Sequence, residues 1–282
     1  MLNEMHVRRR FDRAARTFDD ADFVHAVTRD GLMQRLAPLL VDAKTVIDLG
    51  AATGSANRLL LKRFRGAQLV AVDRSHNMLL KCKEKKSWLA KAHFLQARAA
   101  RLPLADSCVD VVFSNLMLPS VGEPEAVFRE VSRVLRKDGV FAFSTLGPDS
   151  LKEISRAWQS VDDGGHVVPF SDMHDIGDGL VRAGLRDPVL DVDRLGVHYE
   201  AGDKLFADLG AVGARNCLAD RSQALTGKNR FGSMQKALAS GTGDARISLN
   251  LELVYGHCWG TDGPLEPGTH RIDASSIPIR AT

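Results

Sequence analysis

The sequence has few cysteines and no long apolar run. Its four cysteines in 282 residues stand far apart, without a Cys-x-x-Cys spacing, so neither a disulfide framework nor a bound metal is expected. A membrane-spanning helix needs about 18 or more consecutive apolar residues, and no such run is present. Residues 1–10 are polar and basic and lack the apolar centre of a secretory signal. We therefore expect a cytoplasmic protein with reduced thiols and no membrane contact.

The composition is that of an ordinary globular protein. Hydrophobic residues make up 44% of the chain and charged residues 26%, with a formal net charge of +3. This hydrophobic content argues against wholesale disorder, and the length allows one α/β domain with an additional segment. The small positive charge permits an acidic partner but does not require a nucleic acid.

Short apolar strands alternate with helical segments through the first half of the chain. The clearest strands are residues 45–49, 68–73 and 109–114. We also expect a helix over residues 78–91 and a later strand over residues 189–195. This alternation predicts a doubly wound α/β fold, with a parallel sheet and helices on both faces. Ser150 and Glu153 have the spacing of a capping box, which predicts that a helix begins there. We divide the chain into an N-terminal helical lid (1–40), a core (41–198), a helical insertion (199–245), a last core strand (246–260) and a flexible tail (261–282).

A strand, a glycine turn and a helix follow one another from residue 46 onward. Gly50 and Gly54 allow the backbone to approach a ligand, and the helix that follows offers free N–H groups. Asp73 ends the next strand roughly 20 residues later, where an acid can accept hydrogen bonds from both hydroxyls of a ribose. The combination predicts a site for a ligand that contains a nucleoside. A plain tight turn is the alternative for the glycines, and a helix cap with Ser75 is the alternative for Asp73.

The spacing of this loop separates two classes of ligand. Dinucleotide oxidoreductases use Gly-x-Gly-x-x-Gly to hold a pyrophosphate, whereas here the spacing is Gly50-x-x-x-Gly54 and an acid, Asp48, precedes it. Asp48 would repel a pyrophosphate but would stabilise the ammonium group of the methionine part of S-adenosylmethionine. The loop therefore favours the methyl donor.

Four motifs between residues 45 and 146 resemble those of class I methyltransferases. They read VIDLGAATG, VAVDRSHNML, ARLPLADSCVDVVFSNL and REVSRVLRKDGVFAFSTL, and their order and spacing are specific as a set. The resemblance implies a mostly parallel seven-stranded sheet with an N-terminal helical lid, a helical insertion and S-adenosyl-L-methionine as cofactor. The cofactor-binding residues that it implies are Asp48, Gly50, Ala52, Gly54, Asp73, Met78, Ala99, Ser114 and Asn115.

The flanking segments resemble one family within this class. FDRAARTFDDA, FSTLGPDSLKEISRAW and HVVPFSDMHDIGDGLVRAGLRDPVLDVDRL are similar to the malonyl-acyl-carrier-protein O-methyltransferases of biotin synthesis, and the similarity extends to about Trp259. It implies that malonyl-acyl carrier protein is the partner, that its free carboxylate is the acceptor, and that Phe18 and His166 lie at the substrate. A carboxylate is already ionised at neutral pH, so the enzyme would align it and exclude water. Helix packing is the alternative for Phe18, and an exposed loop is the alternative for His166.

Several residues depart from the family pattern. Ala52 replaces a glycine, Phe18 a tyrosine, Pro169 the second residue of an Asn-Arg pair, and Gly210 a lysine. Arg98 stands where many class I methyltransferases carry an acid that accepts from adenine, so we expect the backbone near Ala99 to contact adenine instead.

These departures leave other functions open. The C-terminal half also resembles a mitochondrial complex I assembly factor that modifies an arginine. The residues therefore leave three alternatives open: another methyl acceptor, weak activity, or a scaffold without catalysis. A nucleic-acid methyltransferase is a further class. However, the fourth strand ends in Ser114-Asn115-Leu116-Met117, not in Asn-Pro-Pro and an aromatic residue. We expect no nucleic-acid partner.

Overall fold

The computed structural model describes residues 2–86, 91–222, 226–240 and 246–262. A seven-stranded sheet has the order β3-β2-β1-β4-β5-β7-β6. Strands β1 to β5 are parallel, and β7 runs antiparallel to both of its neighbours. The strands are β1 (Thr45–Leu49), β2 (Gln68–Asp73), β3 (Ala92–Gln96), β4 (Val109–Asn115), β5 (Leu135–Leu146), β6 (Arg186–Tyr199) and β7 (Ile247–Trp259).

Helices cover both faces of this sheet, which confirms the doubly wound fold. Within the described residues they are α1 (Glu4–Ala14), α2 (Phe23–Leu36), α3 (Asn57–Arg63), α4 (His76–Glu84), α5 (Pro124–Val134), α6 (Lys152–Gln159), α7 (Met173–Arg182), α8 (Gly202–Ala211) and α9 (Lys228–Ser240). None of these described helices is both long enough and apolar enough to cross a bilayer.

Alternating side chains of the central strands form two separate cores. Val46 of β1 packs on one face with Leu36 of α2 and Leu60 of α3. Its neighbour Ile47 packs on the other face with Phe128 of α5. Successive strand residues point to opposite faces, so an almost uninterrupted apolar strand supplies both cores. This explains why β1 and β4 could be predicted from their apolar runs.

The N-terminal segment consists of two helices and not of one continuous helix. A short 3-10 turn over Phe18–Asp20 separates α1 from α2, and α2 ends at Leu36. The side chain of Asn3 caps α1 by accepting from His6 N. Farther along the chain, the predicted insertion contains α8 and α9, which pack with α6 in one apolar cluster. The predicted tail lies outside the described residues from residue 263 onward.

The capping box predicted at Ser150 was wrong. Helix α6 begins at Lys152, and no side chain caps its N-terminus. Ser150 Oγ instead donates to Glu252 O and accepts from Glu252 N, and Glu153 Oε1 accepts from Asn250. Both side chains are used by strand β7, so the local spacing did not determine their partners. Helix α4 is also shorter than predicted, since it ends at Glu84 and not at residue 91.

Candidate active site

A cavity of about 270 Å³ opens at the carboxyl ends of the central strands. Asp48 of β1, Asp73 of β2 and Asn115 of β4 line it from the sheet. The chain turns from β1 to β2 on one side and places β4 on the other, and such a switch point is where ligands bind in open α/β sheets. Phe18 of the N-terminal segment and Leu205 of α8 line the cavity from outside the core.

The two loop glycines are required by close packing. Gly50 has φ +78° and Gly54 has φ +79°, in the left-handed region that glycine tolerates best. A Cβ atom at Gly50 would clash with the side chain of Met117, and one at Gly54 would clash with Cys82 Sγ. Gly50 itself lines the cavity, whereas Gly54 lies behind the wall and allows α4 to pack against the loop.

Ala52 fits the loop in spite of replacing the family's glycine. It has φ +47°, and its backbone N–H donates to Asp73 Oδ2 at 3.0 Å. Its side chain packs against an apolar cluster that contains Phe18 and Met78. The next residue, Thr53, donates from Oγ1 to Asp19 Oδ1 at 2.5 Å. The loop is therefore attached to both the second strand and the N-terminal segment.

The carboxylate of Asp73 keeps acceptor capacity toward the cavity. Oδ2 accepts from Ala52 N, and Oδ1 accepts from Ser75 N at 2.7 Å. Each carboxylate oxygen has two lone pairs, so each retains one. Burial raises the pKa of Asp73, and the two backbone hydrogen bonds oppose this rise. Ser75 in turn caps α4 by accepting from Met78 N, so the capping role and a ligand-binding role are compatible.

Asp48 presents a buried carboxylate without a full set of partners. The residue is 2% exposed, and its Oδ2 has no hydrogen-bond partner among the described residues. Burial, and secondarily the charge of Asp73, raise the pKa of Asp48 to about 7, while Arg29 opposes the rise. A buried carboxylate in this state is stabilised by a positively charged ligand group. The site therefore fits the ammonium group expected from the sequence.

The other predicted residues divide into cavity wall and support. Asn115 and Ala99 line the cavity; Asn115 Nδ2 donates to His25 O, and its Oδ1 accepts from Ser144 Oγ. Ser114 lies behind the wall and donates from Oγ to Leu49 O at 2.9 Å. Met78, fully buried in the cluster next to Ala52, also supports the loop from behind.

Phe18 and His166, the two predicted catalytic residues, lie in different places. Phe18 is 4% exposed and lines the cavity, with its ring centroid 4.9 Å from that of His25. His166 is not among the residues that line the cavity. Its ring stacks on Trp158 at 3.8 Å, and its Nε2 lies 2.7 Å from Asp162 Oδ1. This geometry gives His166 a place in loop packing, and its catalytic role stays a prediction.

Two polar residues of α2 that the sequence reasoning missed also line the cavity. His25 and Arg29 lie one helical turn apart. Burial, and secondarily Arg29, lower the pKa of His25 to about 4, so this imidazole is neutral at physiological pH. Nothing in the sequence separates these two residues from the other polar residues of α2, such as Thr28 and Gln34.

The insertion contributes a further polar pair. Tyr199 and Asp208 line the cavity, and Lys204 Nζ donates to Asp208 Oδ1. Burial, and secondarily Asp208, raise the pKa of Tyr199 to about 12. These groups lie in the predicted insertion (199–245), where no motif indicated a site.

Fold and site together define a class I methyltransferase. A family model described as a methyltransferase domain matches residues 47–143. Among solved structures, the YcgJ protein of Bacillus subtilis aligns with a TM-score of 0.59 at 16% identity, over 83% of this chain and 98% of that one. At this identity the likeness concerns the fold alone.

Curated relatives identify the family within this class. A malonyl-[acyl-carrier protein] O-methyltransferase of Halorhodospira halophila is 37% identical over 280 residues, covering 97% of this chain and 95% of the relative. One of Laribacter hongkongensis is 38% identical over 265 residues, covering 91% and 89%. The chain belongs to the malonyl-acyl-carrier-protein O-methyltransferase family and is an S-adenosylmethionine-dependent O-methyltransferase.

Proposed function

We propose that the protein transfers a methyl group from S-adenosylmethionine to the free carboxylate of malonyl-acyl carrier protein, a step in the synthesis of a biotin precursor. The observation that carries the proposal is one continuous cavity. It joins the acids Asp48 and Asp73 to an apolar wall built by the N-terminal segment, α8 and β7. Such a cavity can hold a polar donor and an acceptor side by side. The relatives, which are named for this reaction, support the same acceptor.

The donor is held by residues at the ends of β1, β2 and β3. Asp48 accepts from the methionine ammonium, Asp73 accepts from the ribose hydroxyls, and the backbone near Ala99 contacts the adenine edge. Arg98 stays out of this contact because its Nη2 donates to Glu4 Oε1 at 2.5 Å. When bound, the donor supplies a methyl group that its sulfonium has already activated.

The remaining task of the chain is to align the acceptor and to exclude water. A carboxylate nucleophile brings its own negative charge, so no side chain has to remove a proton. Phe18, Leu205 and Leu249 present apolar walls to the cavity, and an apolar wall removes water from around the reacting carboxylate. We also propose that residues 1–40 and 199–245 together cover the bound ligands, because both contribute to these walls.

A group of arginines next to the cavity supports an acidic carrier protein as partner. Burial lowers the pKa of Arg10, and the nearby charges of Arg221, Arg215 and Arg13 lower it further. These arginines lie on α1 and in the segment after α8, close to the cavity residues Phe11 and Ala214. We call Arg10, Arg13, Arg215 and Arg221 the arginine patch. Concentrated positive charge accelerates the association of an acidic partner.

The direct test compares acceptors. Methyl transfer is measured with malonyl-acyl carrier protein, malonyl coenzyme A and free malonate at equal concentration, and the carrier-bound acceptor should react fastest. Equal rates on all three, or none on the carrier protein, would point to a different acceptor, such as a protein side chain. Growth of a biotin-requiring strain that lacks its own malonyl methyltransferase, after the gene for this chain is supplied, is the corresponding test in cells.

A further inference from the structure

Arg29 of α2 lines the cavity with an unsatisfied guanidinium. Its side chain is 16% exposed, and no hydrogen bond to it is found within the described part of the chain. The nearest acids are Asp22, with Oδ2 3.9 Å from Nη1, and Asp30, with Oδ1 3.6 Å from Nε. Both distances exceed those of hydrogen bonds. Its Nε is buried without a hydrogen-bond partner among the described residues, which is costly, so this position suits an anionic ligand group.

The other arginines of the cavity are held by the protein. Arg74 Nη2 donates to Glu4 O at 2.8 Å, and Arg98 Nη2 donates to Glu4 Oε1. Glu4 at the start of α1 therefore binds one nitrogen of each guanidinium, whereas Arg74 Nε has no partner among the described residues. Of the three arginines that line the cavity within the described residues, Arg29 alone makes no hydrogen bond.

The charge of Arg29 acts on Asp48 across the cavity. Its guanidinium opposes the rise in the Asp48 pKa that burial causes, so the two groups lie within electrostatic range. Asp48 Oδ2 likewise has no hydrogen-bond partner among the described residues. One wall thus offers the free Oδ2 of Asp48, and another offers the Arg29 guanidinium, whose contacts with Asp22 and Asp30 are longer than hydrogen bonds. An α-amino acid carries the two complementary charges on a single carbon atom.

We propose that Arg29 binds the α-carboxylate of the methionine part of the donor while Asp48 binds its ammonium. This inference rests on the proposed function, because it takes S-adenosylmethionine as the donor. A guanidinium and a carboxylate can form two parallel hydrogen bonds, which would satisfy donors that the protein leaves free. Because Arg29 lies on α2, the contact attaches the N-terminal segment to the donor.

The test measures binding of two donor analogues by calorimetry. S-adenosylhomocysteine carries the amino-acid part, and 5′-methylthioadenosine lacks it. Arg29→Met, which keeps the aliphatic length, should weaken binding of S-adenosylhomocysteine by about 10- to 100-fold, the range for a charged hydrogen-bonded pair. Binding of 5′-methylthioadenosine should change less than about twofold. Arg29→Lys keeps the charge but not the paired geometry and should fall between the parent and Arg29→Met.

Arg35→Met is the matched control on the same helix. Arg35 binds Asp191 and Asp193 of β6 and does not line the cavity, so this variant should bind S-adenosylhomocysteine like the parent. Unchanged binding in Arg29→Met would overturn the inference, and so would equal losses for both analogues. Unchanged analogue binding with a raised KM for the malonyl acceptor would assign Arg29 to the acceptor carboxylate instead. Failure of the parent protein to bind S-adenosylhomocysteine would refute the proposed donor itself.

Discussion

The backbone N–H of Ala52 donates a 3.0 Å hydrogen bond to Asp73 Oδ2. This bond connects the loop after β1 to the end of β2, across 21 positions of sequence. Ser75 N occupies the other carboxylate oxygen, so Asp73 fixes the loop, begins α4 and still offers lone pairs to the cavity. Structural and proposed ligand-binding roles therefore meet in one side chain, so a variant at this position needs a stability measurement beside the binding measurement.

Asp73→Asn changes both roles, because its NH₂ group replaces one of the two oxygens that accept from Ala52 N and Ser75 N, and urea unfolding of the variant measures the structural part. The substitution keeps the shape of the side chain but removes the charge. We expect the affinity for S-adenosylhomocysteine to fall by about 10- to 100-fold, since hydrogen bonds to a charged group contribute about 1.5–3 kcal/mol. Calorimetry measures this loss. Asp106→Asn, at an exposed ion pair with Arg133, serves as control and should bind like the parent; equal affinity in Asp73→Asn would exclude Asp73 from the donor site.

Gly54→Ala should destabilise the fold more than Gly66→Ala does. Both glycines have positive φ, +79° and +89°, so alanine costs about 1–2 kcal/mol of backbone strain at either position. A Cβ at Gly66 meets nothing within 4 Å, whereas one at Gly54 collides with Cys82 Sγ and lies 2.8 Å from Asn57 Nδ2. Overpacking adds about 1–3 kcal/mol. Denaturant unfolding compares the two variants, and equal losses would show that the loop can move away from α4.

Much of this site could be predicted because its residues are close in sequence or at motif spacing. Asp48, Gly50 and Asp73 lie at the ends of strands that their apolar runs made visible. All three line the cavity because parallel strands end at one edge of the sheet. Arg29 could not be found in this way. Its contact with the cavity depends on how α2 packs across the sheet, which no local pattern specifies.

Two other features show where pattern reasoning failed. Strand β6 was predicted over residues 189–195 but spans Arg186–Tyr199. As an edge strand it pairs on one side only, so polar residues such as Asp191 and Asp193 interrupt its apolar pattern. Ser150 has capping-box spacing, yet β7 takes its hydroxyl. His166 was assigned by resemblance alone; its ring stacks on Trp158, and its role at the substrate stays a prediction.

Binding of S-adenosylhomocysteine should strengthen as the pH rises toward 7. Burial, with a smaller contribution from Asp73, raises the Asp48 pKa from 3.8 to about 7, so below that pH the free protein holds a proton that the ligand ammonium must displace. Affinity should therefore rise by up to about tenfold per pH unit between roughly pH 5.5 and 7 and then level off. Calorimetry across this range measures the slope. Asp48→Asn, which cannot ionise, should give a flat profile, and a flat profile in the parent protein would contradict the assignment.

The raised pKa of Asp48 also predicts how the stability of the ligand-free protein depends on pH. Asp48 keeps its proton in the folded protein up to about pH 7 and loses it in the unfolded chain near 3.8. The folded state therefore binds more protons between these values, and its contribution to stability is lost as the pH rises through this window. Asp48→Asn should remove this part of the pH dependence. Urea unfolding gives the free energy of unfolding of the parent and of Asp48→Asn at pH 5 and at pH 7.5. If this free energy changes by the same amount between the two pH values in both proteins, Asp48 does not titrate in this way.

Arg98→Ala should leave donor binding almost unchanged. The guanidinium is bonded to Glu4, and its side chain is 62% exposed. Exposed ion pairs contribute about 0–1 kcal/mol, and an arginine has no acceptor to offer the adenine amino group. Calorimetry with S-adenosylhomocysteine should therefore give an affinity within about threefold of the parent. A larger loss would mean that Arg98 contacts the ligand directly.

Charge reversal at the exposed residues of the arginine patch and at the neighbouring Arg9 should weaken use of the carrier-bound acceptor alone. Arg9, Arg13 and Arg215 are exposed, so their combined replacement by glutamate changes the surface charge without disturbing the half-buried Arg10 and Arg221. Association with an acidic carrier protein should slow, which raises the KM for malonyl-acyl carrier protein by about tenfold at low salt. Added salt should then affect the variant less than the parent, because screening has less attraction to remove. Initial rates across a salt series measure both effects.

The control for this experiment is a second triple variant at the opposite end of the sheet. Lys62, Arg65 and Lys91 are also exposed, and Arg65 and Lys91 lie just before the amino ends of β2 and β3, away from the cavity. Replacing these three by glutamate makes the same change in net charge, so any effect of total charge appears equally in both variants. Only the variant at Arg9, Arg13 and Arg215 should raise the KM for malonyl-acyl carrier protein. Both triple variants should bind S-adenosylhomocysteine like the parent. Equal effects from the two triples would show that net charge, and not docking beside α1, governs use of the carrier protein.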